Sequence, residues 1–364
     1  MNTPTRRPSI FATVCTTYAI ALLAMPLAIA DASPAQDAPA KAPTTMKKPG
    51  LYPQADDAQS RIDAALARAK ADNTRVMIQW GDDWCGWCIK LHDLCGSNRD
   101  LSRKLLYEYE VVLVPVGQFD RNLDIAEAYQ ADFKGNGVPF LTVLAADGSV
   151  ITNQETGSLE AGGAHDPAKV MAFLETNQAP ARDAATSLKN ALAESKKSDR
   201  PVMLHFGAPW CGWCHRLEAW MATEPAKSIL GRHLVDCKID TDRDTGGKAI
   251  FEAYTRGKST GIPWFVFLAA DGSTLATSDG PDGNVGFPST DGEIAAFTSA
   301  LKTADPTFTK DDITAISKSL VANRTAREAA AKAARDARDA RDAKDAKDAK
   351  DARATKDALK KEGA

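Results

Sequence analysis

The sequence predicts an α/β protein in which one fold, a mixed sheet covered by helices on both faces, occurs twice in tandem. Three observations predict it. Arg75-Val76-Met77 leads into Trp84-Cys85-Gly86-Trp87-Cys88, and Arg200-Pro201-Val202-Met203 leads into Trp210-Cys211-Gly212-Trp213-Cys214. Further on, Gly137-Val138-Pro139-Phe140 is echoed by Gly261-Ile262-Pro263-Trp264, and Leu144-Ala145-Ala146-Asp147-Gly148-Ser149 by Leu268-Ala269-Ala270-Asp271-Gly272-Ser273. The marks keep their order, as a whole-domain duplication would. Within each copy, helical and strand periods alternate as one leading helix followed by β-α-β-α-β-β-α.

Each copy opens on a helix, with Ile62, Ala65, Leu66 and Ala69 at helical spacing in the first and Leu188, Ala191 and Leu192 in the second. Apolar strands follow at Val76 to Trp80 and Val202 to Phe206, and each CxxC then begins a helix. Val111 to Val116 and Val235 to Ile239 read as buried strands, because apolar runs this short suit a sheet core. Helices over Ile125 to Tyr129 and Ala249 to Tyr254 come next. The proline leads into a hairpin turning at Asp147-Gly148 or Asp271-Gly272. Helices around Pro167 to Glu175 and Gly292 to Lys302 close the copies, which places the domains at residues 55–178 and 183–304.

The ends read differently. Residues 1–32 form an export signal: Arg6 and Arg7, an apolar stretch from Ile10 to about Ala30, then small residues for cleavage. An uncleaved anchor is the alternative, since the stretch is long. Residues after the Arg pair fit a twin-arginine signal poorly, and Val14 before Cys15 does not suit a lipoprotein site. Residues 33–54, rich in Ala, Pro, Lys and Thr, have linker composition and are expected to be disordered. In 307–364, Thr309 to Leu320 reads as an amphipathic helix with Ile313, Ile316 and Leu320 on one face. A three-residue rhythm of Arg or Lys, Asp and Ala follows, expected to be a solvated, marginal helix or a disordered tail.

Composition excludes some functions. A net charge of −3 over 364 residues argues against nucleic-acid binding and against a basic membrane-surface protein. Seven cysteines are too few for a small disulfide scaffold, but four of them form the two CxxC pairs. A cysteine attacks a disulfide as thiolate, and a helix N-terminus favours that charge. A second cysteine one turn on can attack the mixed disulfide and release the partner. This makes Cys85 and Cys211 the nucleophiles and Cys88 and Cys214 the resolving thiols. A shared four-sulfur zinc site is the rival reading, and the wide separation of the pairs disfavours it. A purely structural bridge is another, but so small a loop restrains little.

These segments resemble thioredoxin-superfamily domains over about two thirds of the chain, within it exported disulfide-reductase modules. The resemblance rests on WCGWC after a strand, on Gly-Val-Pro or Gly-Ile-Pro, on the hairpin, and on Cys214-His215-Arg216-Leu217-Glu218. It implies two tandem thioredoxin folds, with cis peptides before Pro139 and Pro263 set against the CxxC pairs. There the backbone at Val138 and Ile262 pairs with substrate, and the proline denies metals a coordination site. No metal and no cofactor are expected. The chain departs from thioredoxin in two ways. Trp87 and Trp213 replace the proline inside the CxxC and, with Trp84 and Trp210, offer an apolar platform. Thioredoxin's buried acidic group, six residues before the nucleophile, is replaced by Gln79 and His205. Only His205 can transfer a proton near neutral pH, so the second domain is expected to be the better exchanger.

Cys95, whose repeat counterpart is Met221, and Cys237 read as core residues. His165 and His233 read as isolated surface or hydrogen-bonded histidines. The expected function is thiol–disulfide exchange on exported proteins in an oxidising compartment, a periplasm, as reductase or isomerase. A membrane or soluble thiol donor is the expected redox partner. Signal cleavage leaves no stable membrane span, and no nucleic-acid partner is expected. A non-enzymatic peptide-binding or chaperone-like module is the runner-up, and copper handling by the paired thiols a third reading.

Overall fold

A computed structural model describes residues 50–54, 57–258 and 260–362, with side chains as far as 350. The export signal, the anchor alternative, Cys15 and most of the proposed linker lie outside the described residues. The first domain runs α1 (Ala58–Asp72), β1 (Arg75–Gly81), α2 (Gly86–Ser97), α3 (Arg99–Glu108), β2 (Tyr109–Pro115), α4 (Leu123–Ala128), α5 (Phe133–Asn136), β3 (Phe140–Leu144), β4 (Val150–Glu155), β5 (Glu160–Ala161), β6 (Ala164–His165) and α6 (Pro167–Asn177). The second runs α7 (Ala184–Ser198), β7 (Val202–Gly207), α8 (Gly212–Met221), α9 (Ala226–His233), β8 (Val235–Asp240), α10 (Gly247–Thr255), β9 (Trp264–Leu268), β10 (Thr274–Thr277), β11 (Asp279–Gly280), β12 (Gly283–Asn284) and α11 (Asp291–Ala304). A single helix, α12 (Lys310–Glu362), ends the chain.

Both sheets have one topology. In the first, β1 pairs parallel with β2 and antiparallel with β3, and β4 forms the far edge. In the second, β7 pairs parallel with β8 and antiparallel with β9, and β10 forms the edge. The central strands are buried throughout their apolar residues, as strands covered on both faces must be. The hairpins turn at Gly148 (φ +86°) and Gly272 (φ +83°), where only glycine enters the left-handed region freely.

The structure departs from the expected order at several points. Helices α3 and α9 stand between the CxxC helix and the next strand; Asn98 caps α3 by accepting from Asp100 N and Leu101 N. The linker reading fails at its C-terminal end, because Tyr52 is 1% exposed and packs with Leu51 against Cys85 and Cys88. The amphipathic segment and the charged tail form one 53-residue helix. Its first turns belong to the second core, where Ile316 and Leu320 are buried with Trp220, Phe297 and Leu301. His233 is likewise not isolated: its Nδ1 lies 2.7 Å from Asp305 and its ring stacks on Phe308. Cys95 is half-buried and Cys237 buried, and burial pushes their thiols up to about 11 and about 12. Both are therefore thiols at physiological pH.

The domains meet through the ends of α1 and α3. The buried Arg243 guanidinium donates to Asp72 O, Asn73 O and Glu108 Oε2 at 2.7–2.8 Å, and Lys238 donates to the Asp72 carboxylate.

Candidate active sites

Each CxxC forms a disulfide at a helix N-terminus, Cys85–Cys88 at α2 and Cys211–Cys214 at α8. The N-terminal sulfur serves as the cap: Cys88 N donates to Cys85 Sγ, and Cys214 N to Cys211 Sγ, both at 3.1 Å. After reduction, the same N–H and the helix dipole favour a thiolate at Cys85 and Cys211. The peptides Val138–Pro139 and Ile262–Pro263 are cis. Val138 O and Ile262 O lie 3.5 Å from Cys85 Sγ and Cys211 Sγ.

Tryptophans form the rims. Trp84, Trp210 and Trp213 are 47%, 57% and 45% exposed, unusual for so large an apolar ring. Trp84 Nε1 donates to Gly117 O and Trp210 Nε1 to Asp242 Oδ2, which fixes the rings while leaving their faces open. Trp87 is half-buried. His165, buried rather than on the surface, stands edge-on to it at 5.2 Å and places Nε2 3.3 Å from Trp87 O. Trp213 has Phe287 beside it and the guanidinium groups of Arg216 and, from α12, Arg327 over its face.

Beneath the disulfides the two sites differ. In the first, Tyr52 Oη lies against Gly81 beside Cys88 Sγ, and a Cβ on Gly81 would collide with both. Gln79 Nε2 donates to Tyr52 Oη at 2.8 Å. Burial pushes the Tyr52 phenol far up, and the Asp82 and Asp83 carboxylates act in the same direction, so the phenol itself stays neutral. In the second, no hydrogen bond joins His205 to Cys214 among the described residues. His205 pairs instead with Asp236 at 3.1 Å. The carboxylate bordering Cys214 is Glu218: a Cβ on Gly207 would stand 3.5 Å from Cys214 Sγ and 3.6 Å from Glu218 Oε1. Sequence reasoning missed Tyr52 and gave Glu218 no role, although Glu218 closes the Cys214–Glu218 stretch that carries part of the resemblance and lies one helical turn beyond Cys214. Asp72, His215 and Glu218 also bring ligand atoms within 4.8 Å of one another. Lys238 Nζ is hydrogen-bonded to two of the three, so a protein cation already fills that place.

Burial disfavours the charged form of His205, but the Asp236 carboxylate outweighs it and holds the imidazole above its ordinary value. The resulting stabilisation is complete below the pKa of an unfolded histidine, about 6.5. It is lost as pH rises through the higher native value. Asp236 is 64% exposed, so solvent screens the pair and the effect is modest. The thermal midpoint is expected to fall more steeply above neutrality in the wild type than in Asp236→Asn. Parallel melting profiles would remove the pair from the stability account.

Comparison with known proteins agrees with this architecture. A thioredoxin-like domain model matches residues 62–165, and a second thioredoxin-like model matches 183–270. The disulfide bond reductase DsbH of Chlamydia pneumoniae is 30% identical over 125 residues, which are 32% of this chain and 70% of that protein. An uncharacterised Caenorhabditis elegans protein is 29% identical over 108 residues, 28% of this chain but only 15% of its own length. A solved disulphide isomerase from Xylella fastidiosa is 27% identical, with a TM-score of 0.32, covering 35% of this chain and 96% of that one. The chain belongs to the thioredoxin superfamily, with two thioredoxin-like domains. Its two CxxC pairs on that fold support thiol–disulfide oxidoreductase chemistry.

Proposed function

We propose that the protein reduces disulfides of exported proteins, each CGWC pair passing from dithiol to disulfide as it does so. The observation that carries this reading is the setting of each disulfide, with its N-terminal sulfur on a helix N-terminus, a loop carbonyl at 3.5 Å and exposed tryptophans at the rim. The carbonyls of Val138 and Ile262, beside Pro139 and Pro263, can accept from a substrate backbone. Trp84, Trp87, Trp210 and Trp213 can cover its side chains. Cys85 or Cys211 attacks the substrate disulfide, and Cys88 or Cys214 resolves the mixed disulfide. Similarity to a protein named a disulfide bond reductase favours the reducing direction. The N-terminal stretch read as an export signal supports a periplasmic setting for this work, with a thiol donor there recharging both pairs. No described helix is long and apolar enough to cross a membrane.

The full-length protein, reduced and freed of reductant, is expected to reduce insulin and recover its own disulfides. Reshuffling of scrambled ribonuclease with no net insulin reduction would make it an isomerase. Insulin binding without exchange would make it a peptide-binding module and end the enzymatic reading.

A further inference from the structure

The second site holds a group that the exchange steps above do not use. Glu218 Oε1 is cut off from solvent and has no hydrogen-bond partner, an unfavourable state for a buried oxygen. With the disulfide closed, Cys214 carries no proton that this oxygen could accept. On reduction Cys214 gains an S–H at the gap over Gly207, which Oε1 also borders. The other Glu218 oxygen accepts from Lys238 Nζ at 2.8 Å, and the same ammonium donates to Asp72, the last residue of α1 in the first domain. One ammonium between two carboxylates leaves one unit of negative charge beside Cys214.

Resting on the exchange reading of this site, we propose that Asp72 of the first domain is a positioning residue for the second site, acting through Lys238. It shares the Lys238 ammonium with Glu218 and so fixes the Glu218 side chain beside Cys214, so that Glu218 takes the Cys214 thiol proton as Cys214 attacks the mixed disulfide on Cys211. In that step the bond between Cys211 and the substrate sulfur breaks and the Cys211–Cys214 bond forms. The substrate sulfur leaves as a thiolate and takes its proton from solvent.

Other charged groups face Glu218, and none replaces it. His215 on α8 has Nδ1 4.0 Å from Glu218 Oε2, while its Nε2 lies 2.8 Å from Pro209 O. His205 on β7 is engaged with Asp236 on β8. Lys227 on α9 lines the same cleft, and Arg243 is committed to Glu108 and the end of α1. The first domain touches the second site again through Asp242, which accepts from both Tyr107 Oη and Trp210 Nε1. The first site has no counterpart: the helix position matching Glu218 is the exposed His92, and Tyr52 beside Cys88 is neutral.

The test uses the full chain with Cys85→Ser and Cys88→Ser, and with Cys15→Ser, Cys95→Ala and Cys237→Ala, so that only the second pair reports. The reduced protein is mixed with dithiobis(nitrobenzoate), whose first thiolate release marks attack by Cys211 and whose second marks resolution by Cys214. Glu218→Gln is expected to slow the second release near neutral pH by about tenfold or more. The deficit should close toward pH 9, where an ordinary cysteine ionises unaided. Asp72→Asn should slow the same phase roughly threefold or more with the same pH dependence, and Asp72→Glu should restore it. The first release should be unchanged throughout. Asp72→Asn without effect, or slowing both phases alike at every pH, would overturn the proposal, as would failure of Asp72→Glu to restore the rate. Absence of the first release in the parent chain would instead overturn the exchange reading.

Discussion

A chain carrying both Cys85→Ser and Cys211→Ser is expected to lose disulfide exchange down to the uncatalysed background. Serine stays un-ionised near neutral pH and forms no mixed disulfide, so nothing replaces the lost thiolate. The single variants are more informative. Each leaves one site, and the sites differ in what lies under the disulfide: a neutral Tyr52–Gln79 pair in the first, a carboxylate in the second. We expect Cys211→Ser to remove more than half of insulin turnover at neutral pH and Cys85→Ser to remove less. Cys88→Ser and Cys214→Ser should accumulate a substrate-linked species, visible by mass spectrometry, because the resolving thiol is gone. Turnover retained in the double nucleophile variant would overturn the assignment of Cys85 and Cys211.

The second large effect concerns stability. Ending the chain after Phe308 removes α12, and with it the fully buried Ile316 and Leu320 and the partly buried Ile313. It also removes the Trp220 Nε1 to Ser319 hydrogen bond and the Arg232–Asp312 ion pair. Losing two large buried aliphatic side chains costs about 2–5 kcal/mol each, so the thermal midpoint should drop on the order of 10 °C or more. Among the described residues, ending the chain after Glu328 removes only exposed side chains and should shift the midpoint by about 2 °C or less. Calorimetry of the two truncations against the full chain checks this, and equal midpoints would show that α12 adds nothing to the second core.

These cases also show which features the sequence could and could not reveal. Features written in local pattern were legible: two sheets from short apolar runs, hairpin turns from Asp-Gly, and a dithiol at a helix start from strand–turn–CxxC. Features that depend on distant pairing were not. Tyr52 sits in a stretch whose average composition is that of a linker, and only its packing on Cys88 marks it out. His205 was visible because it lies six residues before Cys211, but Asp236, which engages its ring, comes from a neighbouring strand. His233 looked solitary because Asp305 and Phe308 follow far along the chain. Glu218 resembled any polar helix residue until Lys238 and Asp72 closed around it. The tail's helical state was left open because its basic residues precede its acids, the weaker order for helix pairs.

That tail has a geometric consequence. A straight helix from Lys310 to Glu362 is about 80 Å long. Described side chains from Glu328 to Lys350 are exposed, so this stretch stands free of the domain. A three-residue repeat on a helix of 3.6 residues per turn drifts steadily around the axis, so Ala, Asp and basic residues gather on no single side. Such a rod offers no single stripe for a partner helix. The contacts that α12 makes with the second core therefore come from its first turns, and its length beyond Glu328 adds none among the described side chains.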